Sequence, residues 1–351
     1  MSGKVNEALF DLVQSMSKSE KRYFKLMSSR HTIGGENNYV RIFDYLDKMP
    51  AYDEKALFDF FKGEAFLKRF SITKKRLYDH ILSALDAFHA SGSIEAQIHK
   101  MLHASDILYD RSLYDQSRRL LRSAEKLALK YEKPALVIEI ANKQKRIHET
   151  MGYSGISEAQ MNAFTEQESS QIESLQYYAT LWQIKSRLFS QLSKKGVARS
   201  KEDAAHYTEI CKELLERPVP AEHVTTEARY LYYHVMSAYY YAIANLSDSL
   251  DALHKNLELI ESSTSSIAIE VNKQVSVLTN AIYISDKLGD YRSSISYLNQ
   301  LKTVANKVTA NEDLEIKLFS SINSIELSMN LRKGDFGKEI GRAHVRTPVT
   351  S

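Results

Sequence analysis

Turn-forming residues are scarce in this chain, with 12 Gly and 5 Pro among 351 residues. An all-β domain needs a turn about every 8–12 residues, and this sequence cannot supply them. Helices need breakers only at their ends, so the shortage points to an all-α fold of long helices. Hydrophobic residues make up 43% and charged residues 26%. That balance suits a chain that buries a core, not a disordered tail or a membrane span. No stretch nears the ~18 consecutive apolar residues of a membrane helix. Cys211 is the one cysteine, which excludes an internal disulfide and a zinc site built on several cysteines. The first residues show no charged segment followed by an apolar one, so a cytoplasmic location is expected. The net charge of +3 is too small to select a partner by itself.

Two parts separate along the chain. Residues 1–92 read as an N-terminal module of short helices. Leu9, Leu12, Val13 and Met16 form an apolar stripe, and Ser17-x-x-Glu20 is a capping box that should open the next helix. Residues 31–38, with Gly34 and Gly35, read as a loop. Tyr39, Ile42, Phe43 and Leu46 mark a third helix that stops at Pro50. Asp53 opens a fourth, which closes at Gly63. A fifth is expected over 72–90, with Leu77, Ile81, Leu85 and Phe88 on its buried face.

Residues 93–338 carry a longer rhythm. Turn-like residues fall at Ser112, Gly152, Gly196, Asn245, Gly289 and Gly334, at intervals of 40, 44, 49, 44 and 45. Gly and Asn tolerate the left-handed conformation that closes helices. The longest interval holds Pro218-Val219-Pro220. The implied pairs are 94–110 with 113–131, 134–151 with 157–171, 173–195 with 200–216, 223–244 with 247–262, and 265–288 with 291–307. A last helix at 311–333 has no mate. After Gly289-Asp290-Tyr291 come Ser294, Leu298 and Leu301, and after Tyr114 come Ser117, Leu121 and Ala124.

This spacing of small, large and medium residues resembles the second helix of a tetratricopeptide (TPR) repeat. The resemblance implies an α-α superhelix, a TPR-like solenoid in which neighbouring pairs bury each other's apolar faces and first helices line a concave side. The helices here are longer, and the family's 34-residue period, its aromatic-Leu-Gly signature and its closing proline are absent. The first 90 residues are also similar to an uncharacterised family of bacterial proteins. The shared features are Leu-x-x-Ser-x-Ser-Lys-Ser-Glu-Lys-Arg-Tyr-Phe-Lys-Leu at 12–26 and Lys-x-x-Leu-Tyr at 74–78. That likeness implies helical repeats and no assigned activity. Residues 339–351, which run Glu339-Ile340-Gly341-Arg342-Ala343-His344-Val345 and onward, resemble a translated sequencing adapter. They are expected to be a non-native tail that truncates a sixth unit begun at Gly334-Asp335-Phe336.

Several clusters invite a chemical reading. Lys74, Lys75 and Arg76, with Lys68 and Arg69 upstream, are a candidate contact for an anion or nucleic acid. They are expected in the opening turn of a helix capped by Ser71 or Thr73, where phosphates bind readily. Asp53 to Leu85 would then be a helix-turn-helix-like reader; the competing reading is a solvated basic face. Lys18, Lys21, Arg22 and Lys25 mix with Tyr23 and Phe24, but those rings fall on the apolar side of their helix and read as core. The chain holds 21 tyrosines. Tyr177, Tyr178, Trp182, Tyr230, Tyr233 and Tyr241 lie on first helices and are a candidate partner groove, against the alternative of packing between repeats. His99, His103 and Asp106 have only part of a metal-site spacing, with Lys100 where a zincin would carry Glu. No metal or cofactor is expected. Nucleophile elbows, phosphate loops and dinucleotide fingerprints are absent from the sequence. His206 and Cys211, five apart, fall on different faces of a helix. The expectation is a non-enzymatic scaffold that binds a protein or peptide, away from membranes. The alternative is a nucleic-acid-binding transcriptional regulator whose helical repeats act as a sensor.

Overall fold

The computed structural model describes residues 3–29, 37–89, 92–216, 224–262, 271–306 and 312–333. Most of the loop expected at 31–38, the Pro218-Val219-Pro220 insert, Gly334-Asp335-Phe336 and the adapter-like segment 339–351 lie outside them. The described residues form fifteen α-helices and one 3-10 helix, with no strand among them. The chain divides into two compact units, Met1–Asp110 and Arg111–Ser351. This division falls one helix later than the boundary read between 92 and 93.

Unit 1 holds α1 (Gly3–Ser15), α2 (Lys18–Ser29), α3 (Asn38–Lys48), α4 (Glu54–Phe60), a 3-10 helix (Ala65–Arg69), α5 (Phe70–His89) and α6 (Ile94–Asp110). The capping box forms: Ser17 N–H donates to Glu20 Oε2 at 2.7 Å, and Glu20 N–H to Ser17 Oγ at 3.3 Å. Asp53 Oδ1 likewise accepts the N–H groups of Lys55 and Ala56 at 2.9 and 3.1 Å and starts α4. Helices α1, α2, α3 and α5 pack together. Val13, Phe24, Ile42, Phe43, Leu57, Leu77 and Ile81 are fully buried in their shared core, with the Phe24 and Phe43 rings 4.6 Å apart.

Unit 2 holds α7 (Tyr114–Lys130), α8 (Pro134–Thr150), α9 (Glu158–Lys195), α10 (Lys201–Glu216), α11 (Thr226–Ala242), α12 (Leu246–Ser262), α13 (Val271–Lys287), α14 (Tyr291–Ala305) and α15 (Glu312–Lys333). Consecutive helices pack on one another, and α9 also packs directly on α11. Four helix ends close in the same way. The N–H groups of Lys133, Tyr153, Asn245 and Asp290 donate to the carbonyls of Ala128, His148, Tyr240 and Ser285, five residues back, at 2.8–2.9 Å. The residue before each donor is left-handed: Glu132 at φ 50°, Gly152 at 59°, Ala244 at 61° and Gly289 at 77°. This is the Schellman closure, which satisfies the orphan carbonyls of a helix end and reverses the chain within a few residues. Asn245, the expected turn residue, is not the left-handed one. Ala244 takes that role, while Asn245 accepts Asp248 N–H at 3.2 Å and holds the start of α12.

The larger correction concerns α9. Two helices, 157–171 and 173–195, were expected, but one helix of 38 residues runs through. It opens with a capping box at Ser157 and Gln160 and closes at Gly196. Its sequence contains neither Gly nor Pro, so no residue favours a break at 172. The small-residue register is more regular than expected. Ser249 Oγ donates to Ser237 O at 2.9 Å, and Ser294 Oγ to Ile282 O at 3.4 Å, each twelve residues back. A buried serine therefore lets α12 approach α11 closely, and another lets α14 approach α13. Side chains tie elements further apart in sequence. Glu125 accepts from Gln144 at 3.0 Å and from Gln167 at 2.9 Å, linking α7, α8 and α9. The Glu132 carboxylate accepts Thr226 N–H at 2.6 Å and Thr226 Oγ1 at 3.2 Å, joining the α7–α8 turn to the start of α11. Glu227 pairs with Lys273 at 2.6 Å, joining α11 to α13.

Ala244 is exposed and left-handed, so Ala244→Gly isolates backbone strain. Relief of roughly 1–2 kcal/mol competes with about 0.4–1 kcal/mol of added unfolded-state entropy. The expected net gain is about 0.5–1 kcal/mol in urea unfolding. Gly289→Ala, where a Cβ meets no atom, should lose stability by a similar amount.

Candidate functional site

The C-terminal end of α9 meets α11, α12 and α13 around a cavity of about 500 Å³. Leu192, Ala238, Leu253 and Ile284 give it apolar walls, and Phe189, His234, Tyr241 and Tyr283 give it aromatic ones. Helical spacing explains the α9 contribution. Leu181, Ile184 and Leu188 are buried in the core between α9, α10 and α11. Tyr178, Trp182, Lys185 and Phe189, one position on, run beside that stripe at steps of three or four. The stripe ends at the cavity. Trp182 is 55% exposed, Tyr283 46% and Phe189 38%.

The cavity rim is pinned. Gly196, at φ 72°, caps α9, and its carbonyl accepts the buried Tyr207 hydroxyl at 2.6 Å. Ala198 N–H donates to Ala242 O at 2.7 Å, tying the α9–α10 connection to the end of α11. Across the opening, Tyr241 and Tyr283 lie with hydroxyls 3.4 Å apart. Lys287 Nζ sits 4.9 Å from the Tyr283 ring centre, and Lys185 Nζ 5.8 Å from that of Phe189, both within cation–π range.

His234 is the one titratable imidazole lining the cavity. Its ring stacks on Phe189 at 5.3 Å and on Tyr230 at 5.9 Å. Its Nδ1 is enclosed with no hydrogen-bond partner among the described residues. Burial, with a smaller push from Lys185, lowers its pKa to about 4. The imidazole is therefore neutral near pH 7, and the cavity wall carries no charge from it.

The six aromatic residues expected to form a groove do not form one surface. Of them, Tyr241 lines the cavity and Trp182 stands open on α9. Tyr230 is buried, with its hydroxyl donating to Lys273 O at 3.4 Å. Tyr177 has an enclosed hydroxyl without a partner, and burial raises its pKa. Tyr178 packs against the α9–α11 core. Tyr233 sits edge-on to Tyr232 at 5.3 Å with Lys255 over its face. Packing consumes most of them because a tyrosine ring is large enough to fill the gap between helices while its hydroxyl reaches the edge. Phe189, His234 and Tyr283 escaped the sequence reading. Tyr283 had a signal, since it lies 42 residues after Tyr241, one repeat interval on.

The basic cluster of unit 1 is placed differently from expectation. The 3-10 helix runs straight into α5, so the start of this helical run lies at Ala65 and not at Lys74. Ser71 and Thr73 are inside α5 and cap nothing; Thr73 Oγ1 donates back to Arg69 O at 3.3 Å. Lys74 pairs with Glu54 at 2.7 Å and lies over the Phe70 ring. Lys68, Arg69, Lys75 and Arg76 are exposed. On α2, Lys21 and Lys25 pair with Asp47 and Asp44 of α3 at 2.7 and 2.5 Å, while Phe24 enters the core.

His99 and His103 are exposed on α6. Among the described residues, no group of three or more His, Cys, Asp or Glu is placed to hold a metal ion. Cys211 is fully buried, and burial pushes its thiol up to about 12. That leaves it protonated and a poor nucleophile. Among the described residues, no helix is long and apolar enough to cross a membrane.

Because the His234 pKa is lower in the folded chain than its usual 6.5, the unfolded chain takes up the proton first. Its contribution to stability is full above pH 6.5 and is lost as pH falls from 6.5 through about 4. Unfolding free energy measured across that window should decline less steeply in His234→Phe than in the parent chain. Compared with known proteins, the chain matches no family model, no curated protein and no solved structure.

Proposed function

We propose that unit 2 is a TPR-like solenoid that serves as a scaffold for a protein or peptide partner. The observation that carries this reading is the aromatic stripe of α9 running into a cavity shared by α9, α11, α12 and α13. Pockets of this size with mostly apolar walls suit ligand groups that bring apolar surface. A surface shared by several helices suits an extended ligand. In this reading the protein is a cytoplasmic, non-enzymatic binding module that uses no cofactor.

The test is capture of partners from a native lysate by the full chain, quantified against Trp182→Ala. Trp182 is 55% exposed, so its truncation should leave stability within about 0.5 kcal/mol. Loss of about tenfold or more of at least one captured protein is expected. Unchanged recovery of every captured protein overturns the reading.

A second reading, a nucleic-acid-binding regulator, is supported by the exposed cations Lys68, Arg69, Lys75 and Arg76 along the 3-10 helix and α5. Mobility shifts over a salt series should then show log affinity falling linearly with log salt, and a shallower slope in Lys75→Glu with Arg76→Glu. No shift at low salt overturns it.

A further inference from the structure

We propose that the side of unit 2 formed by α9, α11 and α13 binds an acidic peptide segment that seats one apolar side chain in the cavity at Phe189, Ala238 and Tyr283. This inference rests on the scaffold reading and names the chemistry of the partner.

Charge is sorted between the helices. From Ser174 to Lys201 the sequence has six cations, Lys185, Arg187, Lys194, Lys195, Arg199 and Lys201, and no Asp or Glu. Helix α11 carries only Glu227 and Arg229, and α13 only Lys273, Asp286 and Lys287. Glu227 is already paired with Lys273. The alternate helices are acidic: α10 has five carboxylates against two lysines, and α12 four against one. Asp203 accepts Arg199 N–H at 3.2 Å and Asp248 accepts from Asn245 at 2.7 Å.

A bland explanation covers part of the basic run. Lys194 and Lys195 sit in the last turn of α9, where cations favour the helix dipole. Lys185 and Arg187 lie two turns earlier, and neither has a carboxylate partner among the described residues. Lys185 belongs to the same stripe as Tyr178, Trp182 and Phe189, and it stands over the Phe189 ring at the cavity edge. Lys287 stands over Tyr283 on the opposite edge. An apolar cavity thus has a cation over an aromatic ring on each of two sides.

Length selects a peptide over a small molecule. Tyr178 to Phe189 spans about 16 Å along the helix axis at ~1.5 Å per residue. About five residues of extended chain cover that distance. The unit's acidic helices disfavour a nucleic acid: α10 and α12 carry nine carboxylates in the same unit, and a polyanion long enough to extend past the α9 cations is repelled by them. An acidic peptide presents few charges and can place one at Lys185.

The experiment is unbiased selection of random dodecapeptides on the full chain. The best peptide is then synthesised with a fluorescein label and its anisotropy measured. Winners with net negative charge around one Leu, Phe or Trp are expected. Their affinity should fall about tenfold in Lys185→Glu and in Ala238→Phe, and should weaken as salt rises from about 50 to about 500 mM. Thermal melting checks that each variant is folded, and the half-buried Lys185 site, at the cavity edge and not in its wall, keeps the test valid if Ala238→Phe does not fold. Basic or uncharged winners overturn the acidic partner and leave the scaffold reading standing. Acidic winners that bind both folded variants unchanged overturn the assigned face. An oligothymidylate that displaces the winner assigns the face to nucleic acid and overturns the proposal. Absence of any winner counts against the proposal and the scaffold reading together.

Discussion

Unit 2 depends on how its helices end. A helix that stops leaves carbonyls without partners, and the chain must reverse within a few residues for the next helix to lie against the last. Four ends solve both problems with one left-handed residue and a hydrogen bond reaching five residues back. Two of those residues are glycines, for which the conformation carries no Cβ penalty. Glu132 and Ala244 adopt it with a side chain in place. At Glu132 the same residue also holds the start of α11 through Thr226. The turn that reverses the chain is therefore also a long-range tie, and its strain is offset by that second contact.

Where no such ending exists, the pairing rule breaks. Helix α9 continues through the point at which a reversal was due, so one helix packs against α8 near its start and against α10 and α11 further on. Its later half supplies the stripe that leads to the cavity. Tyr178, Trp182, Lys185 and Phe189 lie in one line of that half, as they would in a helix over 173–195 alone. The pinned rim at Gly196 and Ala198 then holds the end of that line against α11.

Much of the helix plan was legible in the sequence. The capping box at Ser17, the Asp53 cap and the glycines at 152, 196 and 289 are local signals, acting over a few residues of backbone. They located most helix ends within a few residues. Asn245 misled by one position because Asn suits both a left-handed turn and a helix start, and the local sequence does not say which it does. The site was far less legible. Which tyrosines are spent on packing and which stay open depends on neighbours about 40 residues away. The basic run from Lys185 to Lys201 was countable from the start. Its meaning needed the acidic character of α10 and α12 on the other side of the same pairs.

The sequence by itself determined that the chain is helical and placed most of its breaks, because helix formation, capping and reversal are decided by residues within one or two turns of each other. Only the tertiary structure decided which faces are consumed. His234 is neutral because Phe189 and Tyr230 enclose it, Tyr230 is core while Trp182 is open, and the cavity exists because four helices meet around Ala238 without filling the space. Burial and desolvation are properties of the whole arrangement, and no window of sequence contains them.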